Sequence, residues 1–258
     1  MTIEEKLKKY TSLNAKYKYY KLYWALDKKS FAKDTRKKFY ESNSDLIPET
    51  LNFILNNTPY ECLKSRHRGT EYFVLGERLG LKEYLERNFG GRVIVEHAIQ
   101  RNLYINREKY IDDLGEIVGY EVDLPYESSL AKVDLLSYKN GYLYLIELKR
   151  CKIGPGKKDS EEQLIRAIME IETYNSYLDL ETLNNIQQVP ELKDKEIKGI
   201  KKMILASKNI FDDYVFFDEK LKEYIHNNIE FKYIKCDKDI LNKKIGTLGK
   251  LFEIGEVN

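Results

Sequence analysis

The chain has 258 residues, enough for one sizeable core with a helical appendage, and its hydrophobic fraction of 42% is that of an ordinary globular protein. Its 44 basic and 42 acidic residues nearly cancel, which excludes a uniformly basic nucleic-acid binder and leaves any basic surface as a local patch. The three scattered cysteines, Cys62, Cys151 and Cys236, form no CxxC pair, so they point to neither a disulfide framework nor a zinc or iron–sulfur site and suit a reducing cytoplasm.

Met1-Thr2-Ile3-Glu4-Glu5-Lys6 carries no secretory apolar region and no run approaches transmembrane length, so a soluble cytoplasmic protein with no membrane partner is expected. Residues 1–64 read as a helical extension. Thr2 with Glu5 makes a capping box, and Ser44-Asp45 before Pro48 starts a second helix that ends near Thr58-Pro59. The run from Tyr17 to Trp24 interleaves aromatics with lysines. Such a run can grip a phosphate backbone and stack bases, but packing on the domain or pairing two copies as a homodimer explains it as well.

Gly69-Thr70-Glu71 opens a further helix with Tyr72, Phe73, Leu75, Leu79, Tyr84, Leu85 and Phe89 as its apolar set, ended by Gly90-Gly91. Arg92 to Ile99 then reads as a strand. The polar, acidic stretch between about 105 and 128, with Gly115, Gly119 and Pro125, reads as a hairpin excursion or long loop.

Two strands joined at Asn140-Gly141 follow, from Lys132 to Lys149. Asn-Gly is the strongest short-range signal for a two-residue type I′ hairpin, because both turn residues must tolerate φ > 0. With those two residues as the loop, Lys139 faces Tyr142, Asp134 faces Glu147 and Lys132 faces Lys149. Alternation puts Leu143, Leu145, Glu147 and Lys149 on one face of the second strand and Tyr142, Tyr144, Ile146 and Leu148 on the other. Both faces are mostly apolar, which predicts a central strand covered on both sides. A surface hairpin whose Glu147 and Lys149 point at water is the plainer alternative.

A covered strand makes those charges costly. Like charges facing each other destabilise a sheet, and a buried carboxylate protonates or finds a cation. Two carboxylates about 5 Å apart at Cβ, with a lysine two residues along the same face, suit a hard divalent ion. Mg²⁺ takes one or two carboxylates and fills its remaining positions with water and substrate phosphate.

Beyond the hairpin, Arg150, Lys152, Lys157 and Lys158 crowd a turn-rich loop around Gly154-Pro155-Gly156, with Arg166 nearby. They suit phosphate contacts that position nucleic acid without reading its sequence, and equally a solvated loop. Ser160-Glu161-Glu162-Gln163 starts a helix with Leu164, Ile165, Ile168, Ile171, Tyr174 and Leu178 at helical spacing. A loop over Asn184 to Lys195, a strand from Ile200 to Ala206, a helix through Leu221, Tyr224 and Ile225 and a last strand from Ile229 to Ile234 complete the pattern.

Asp134, a twelve-residue gap and then Glu147-Leu148-Lys149 resemble the signature of the PD-(D/E)xK nuclease superfamily, with Val133 where that motif often carries proline. Helix, three strands, helix, strand resembles the family's αβββαβ core over roughly residues 66–236. The resemblance implies an α/β (α+β) restriction-endonuclease-like fold over residues 65–258, with a central mixed sheet flanked by helices, and leaves residues 1–64 as an extension outside it.

It further implies a Mg²⁺-dependent nuclease (Mn²⁺ substituting) that hydrolyses DNA, an endonuclease of restriction, defence or repair type. Asp134, Glu147 and the Leu148 carbonyl would be metal ligands, and Lys149 would position or activate the attacking water and stabilise phosphate charge. Glu71 would be the further acid that the family often brings from its first core helix, although capping and the helix dipole already explain an acid there. Glu77, Glu83 and Glu96 are poorer candidates. Gln163 matches the place where several branches carry a site-orienting glutamine, but Ala167 stands where the Gln-x-x-x-Tyr branch has its tyrosine, which leaves Tyr174 a weak substitute. His67 and His97 are left outside the site. RNA as substrate and a nuclease-like fold serving only as a binding or assembly module are the competing readings.

Overall fold

The structure is a computed structural model that describes residues 95–123, 132–149, 164–176, 190–236 and 252–257. The extension expected over 1–64, the helix expected over 69–89 and the basic loop over 150–158 lie outside the described residues.

Helix α1 spans Val95–Ile105 and is followed by a 3₁₀ turn, Arg107–Tyr110, and the single-turn helix α2, Ile111–Leu114. Strand β1 (Glu116–Asp123) precedes the hairpin of β2 (Lys132–Lys139) and β3 (Tyr142–Lys149). Helix α3 (Leu164–Ser176) leads to β4 (Gly199–Ala206), and after a 3₁₀ segment (Lys208–Phe216) come α4 (Glu219–Asn228), β5 (Ile229–Cys236) and β6 (Phe252–Glu256).

The six strands form one mixed sheet in sequence order. The β1–β2 and β2–β3 pairs are antiparallel, β3–β4 and β4–β5 parallel, and β5–β6 antiparallel. The fold is therefore mixed α/β, with helices against both faces of the sheet. No helix among the described residues is long and apolar enough to cross a membrane.

The hairpin forms as its turn chemistry dictates. Asn140 has φ 54° and Gly141 φ 86°, the paired left-handed conformations of a type I′ turn. A Cβ at position 141 would also meet the Lys198 side chain at 2.9 Å. The pairs from Lys139–Tyr142 out to Leu135–Ile146 follow the expected register.

From Leu143 to Lys149 every residue of β3 is buried. Leu143 and Leu145 join the apolar layer beneath α3 and α4, with Ile165, Ile168, Leu221 and Ile225. Tyr144, Ile146 and Leu148 join the opposite layer with Ile99, Leu103, Tyr110 and Leu114. Coverage on both sides is thus observed, at about 1.5–3 kcal/mol for each buried aliphatic side chain.

Two sequence assignments are corrected. The strand expected from Arg92 to Ile99 is instead helical from Val95 onward. Its β-branched start is a weak preference, and it yields to the buried face of Ile99, Leu103 and Tyr104, which repeats at helical spacing past residue 99. The stretch expected as a hairpin excursion or long loop between about 105 and 128 contains β1, which pairs with β2. Ile117, Val118, Tyr120 and Val122 are buried there despite the interleaved acids and Gly119. Strand β6 had no counterpart in the sequence reading.

Candidate functional site

At the far end of the hairpin the β2–β3 ladder opens. In an antiparallel pair alternate residues present both N–H and C=O to their neighbour. Tyr142, Tyr144, Ile146 and Leu148 are such residues on β3, so a continuing ladder would join the Leu148 N–H to the Val133 carbonyl. The Leu148 N–H donates instead to the side chain of Asp134, at 2.7 Å from Oδ2. Paired register ends at Leu135–Ile146. The face-to-face pairing expected between Asp134 and Glu147, and between Lys132 and Lys149, is therefore not a continuation of the ladder. Like charges at ladder spacing repel, and Asp134 has a better use in accepting an N–H.

The second oxygen of Asp134 accepts a hydrogen bond from Gln100 Nε2 at 2.7 Å. Gln100 lies on α1 and is 1% exposed. Asp134 itself is half-buried and is held by one donor from the strand and one from the helix.

Glu147 is 2% exposed. Burial raises its carboxyl well above the ordinary carboxylate range, the charges of Asp134 and Glu170 raise it further, and the Lys149 ammonium pulls the other way. Lys149 Nζ donates to Glu147 Oε1. The other oxygen, Glu147 Oε2, is buried and has no hydrogen-bond partner among the described residues. Lys149 also pairs with Glu170 Oε2 of α3 at 2.6 Å. Lys149 and Glu147 thus form a buried salt bridge.

Asp134, Glu147, Leu148 and Lys149 thus stand together at the open end of the hairpin. Glu71, Gln163, Arg150, Lys152, Lys157 and Lys158 lie outside the described residues, and Arg166 falls on α3. Tyr174 is 4% exposed in the apolar layer under α3, so it belongs to the core. Glu96 and His97 stand on α1, not on a strand.

Sequence reasoning missed Gln100 and Glu170. Gln100 follows directly on the stretch from Arg92 to Ile99, which reads as a strand from sequence. Glu170 follows Ala167, Ile168 and Met169 and precedes Ile171, and an acid set in such an apolar run is a signal of burial.

A second buried polar cluster lies on the same helix. Glu172 is fully buried and accepts from Lys202 Nζ at 2.7 and 2.9 Å and from the Tyr224 hydroxyl at 2.9 Å. Burial, then the Glu172 charge and hydrogen bond, push the Tyr224 phenol up. This cluster closes on itself, whereas Glu147 Oε2 has no hydrogen-bond partner among the described residues.

Among the described residues no group of three or more His, Cys, Asp or Glu side chains is placed to hold a metal ion. The donor set at the open ladder is two carboxylates and a main-chain carbonyl. Residues of β3 that turn N–H toward β2 turn C=O the same way, so the Leu148 carbonyl shares that side. Mg²⁺ asks for no more than one or two carboxylates when water and phosphate supply the rest. The unmatched, buried Glu147 oxygen fits that role. Comparison of the chain with protein-family models, with curated proteins and with solved structures found no match.

Proposed function

We propose that the chain is a Mg²⁺-dependent nuclease of restriction-endonuclease-like fold that hydrolyses phosphodiester bonds in DNA, with Mn²⁺ able to substitute. The carrying observation is the open ladder, where Asp134 accepts from Gln100 and the Leu148 N–H beside a buried Glu147 oxygen that has no hydrogen-bond partner among the described residues. A charged carboxylate buried in this way is tolerated best beside a cation. The order helix, three strands, helix, strand over α1–β4 supports the fold assignment, as does the spacing of Asp134 from Glu147-Leu148-Lys149.

In this reading Asp134, Glu147 and the Leu148 carbonyl hold the cation. A bound Mg²⁺ supplies charge stabilisation to a phosphoryl oxygen and a more acidic water. The chain's own contribution is orientation and charge. Gln100 and the Leu148 N–H fix the Asp134 carboxylate, and the Lys149 ammonium faces the site to orient the attacking water and balance charge developing on the phosphate. DNA is the substrate class that the sequence resemblance implies.

A nuclease-like binding module is favoured by one observation, that Lys149 already neutralises Glu147. Incubation of plasmid, linear DNA and RNA with Mg²⁺ or Mn²⁺ separates the readings. The nuclease reading expects metal-dependent cleavage that Lys149→Ala abolishes, with circular dichroism confirming that the variant folds. Absence of cleavage by the wild type, or full cleavage by the folded variant, contradicts it.

A further inference from the structure

Tyr233 of β5 stands in a row that crosses the sheet: Lys149 pairs with Ala206, Ala206 with Tyr233 and Tyr233 with Gly255. Residues in one such row put their side chains on one face, and the two strand spacings from Lys149 to Tyr233 amount to roughly 10 Å. Tyr233 therefore shares the α3 side of the sheet with Lys149 and packs against the apolar layer there. Its neighbours in the row, Ala206 and Gly255, are small. A Cβ at position 255 would stand 2.6 Å from Cε1, Cζ and Oη of the tyrosine, so glycine is what lets the ring lie across β6. The hydroxyl donates to Glu253 Oε1 at 3.3 Å, which fixes the direction of the ring.

Beside that ring is a cavity of about 370 Å³, lined among the described residues by Lys208, Tyr233, Glu256 and Val257. Small-ligand pockets span roughly 300–1,000 Å³, so a single nucleobase fits. Lys208 is exposed, and its Nζ lies 5.9 Å from the ring centroid, the outer limit of a cation–π contact. Its long stem can swing clear of the ring. Glu256 accepts from the Lys232 ammonium, which offsets its charge at the rim. A half-open aromatic face with a cation at its edge suits a single nucleic-acid strand, because the ring stacks a base and the ammonium meets a phosphate.

We propose that this cavity is a base-stacking subsite for single-stranded DNA next to the phosphate that the hairpin site cleaves, with Tyr233 as the platform and Lys208 on the strand's phosphate. The choice of ligand rests on the nuclease reading. Roughly 10 Å from Lys149 corresponds to about two or three nucleotides of a stacked strand, so one strand reaches both places.

The test is fluorescence anisotropy of fluorescein-labelled oligodeoxyadenylate, and of an abasic strand of equal length, with the full chain in EDTA so that cleavage does not compete. The wild type is expected to prefer the base-bearing strand about fivefold or more. Tyr233→Leu, which keeps apolar bulk, is expected to lose that preference while holding the abasic strand as before, and Tyr233→Phe to retain it. Gly255→Ala, which displaces the ring, is expected to behave like Tyr233→Leu. Lys208→Gln is expected to weaken both strands alike and to lower the salt slope by about 0.7. A wild type that binds neither strand or both equally overturns the proposal, as does a Tyr233→Leu variant that keeps the preference. Should Tyr233→Leu fail to fold, the exposed Lys208→Gln decides, since an unchanged affinity and salt slope overturn the proposal. Plasmid cleavage in Mg²⁺ separates the two readings. Cleavage by a wild type without base preference removes this proposal alone, and base preference without cleavage removes the nuclease reading and leaves a strand-binding cavity.

Discussion

The carboxylate of Asp134 takes the main-chain N–H of Leu148 at 2.7 Å, two strands' worth of pairing having ended one residue pair earlier. A side chain thus stands in for a backbone carbonyl, and the sheet opens without leaving that amide orphaned. The opening is where Glu147, Lys149 and Gln100 converge, and the predictions below follow from how each is held.

Asp134→Asn keeps the shape of the side chain and removes its charge. Cleavage of plasmid DNA in Mg²⁺ is expected to fall at least about a hundredfold, with the thermal midpoint changed by only a few degrees. Single-turnover assays beside a melting curve check both halves.

Gln100→Leu removes the helix-borne donor to Asp134. Groups that orient a metal ligand are typically worth about 10–100-fold in affinity or activity. The expected result is a loss of that size in kcat/KM. Activity equal to wild type contradicts a positioning role for α1.

Glu172 and Glu170 sit two residues apart on α3 but do different work. Glu172 holds Lys202 and Tyr224. Glu172→Ala strips a buried cation of its partner and is expected to cost about 3–5 kcal/mol of stability. Urea denaturation reads that loss, and Glu172→Gln, if folded, is expected to bind Mn²⁺ as tightly as wild type.

Tyr144 supplies a pH test remote from the site. Burial, then the charge and hydrogen bond of Glu230, push its phenol from 10.0 up to about 12. Between those values the folded chain keeps a proton that the unfolded chain has lost, so stability falls as pH rises through that window. The slope amounts to roughly 1 kcal/mol between pH 10 and 11. Urea unfolding at pH 9, 10 and 11 is expected to show a shallower decline for Tyr144→Phe than for wild type.

The hairpin was legible because its information is local. Asn140-Gly141 specifies the turn, the turn specifies the register, and alternation in Tyr142 to Lys149 marks a strand covered on both faces. What lies around it was less legible. Val93-Ile94-Val95 suggested a strand, but the side chains that decide are Ile99, Leu103 and Tyr104, whose burial depends on a sheet that the local sequence does not describe. Strand β1 was hidden by Glu116, Glu121 and Asp123, which break an apolar run without preventing pairing to β2. The same distinction divides the site. Asp134, Glu147 and Lys149 stand on one hairpin and were found together. Gln100 and Glu170 arrive from helices on opposite faces of the sheet, and their approach is set by packing, which no spacing in the sequence encodes.

The central claim is that a divalent cation belongs at the open end of the hairpin. Crystals soaked in Mn²⁺ and measured for anomalous scattering test it most directly. The account predicts a peak about 2.1 Å from oxygens of both Asp134 and Glu147. A map without that peak would contradict it.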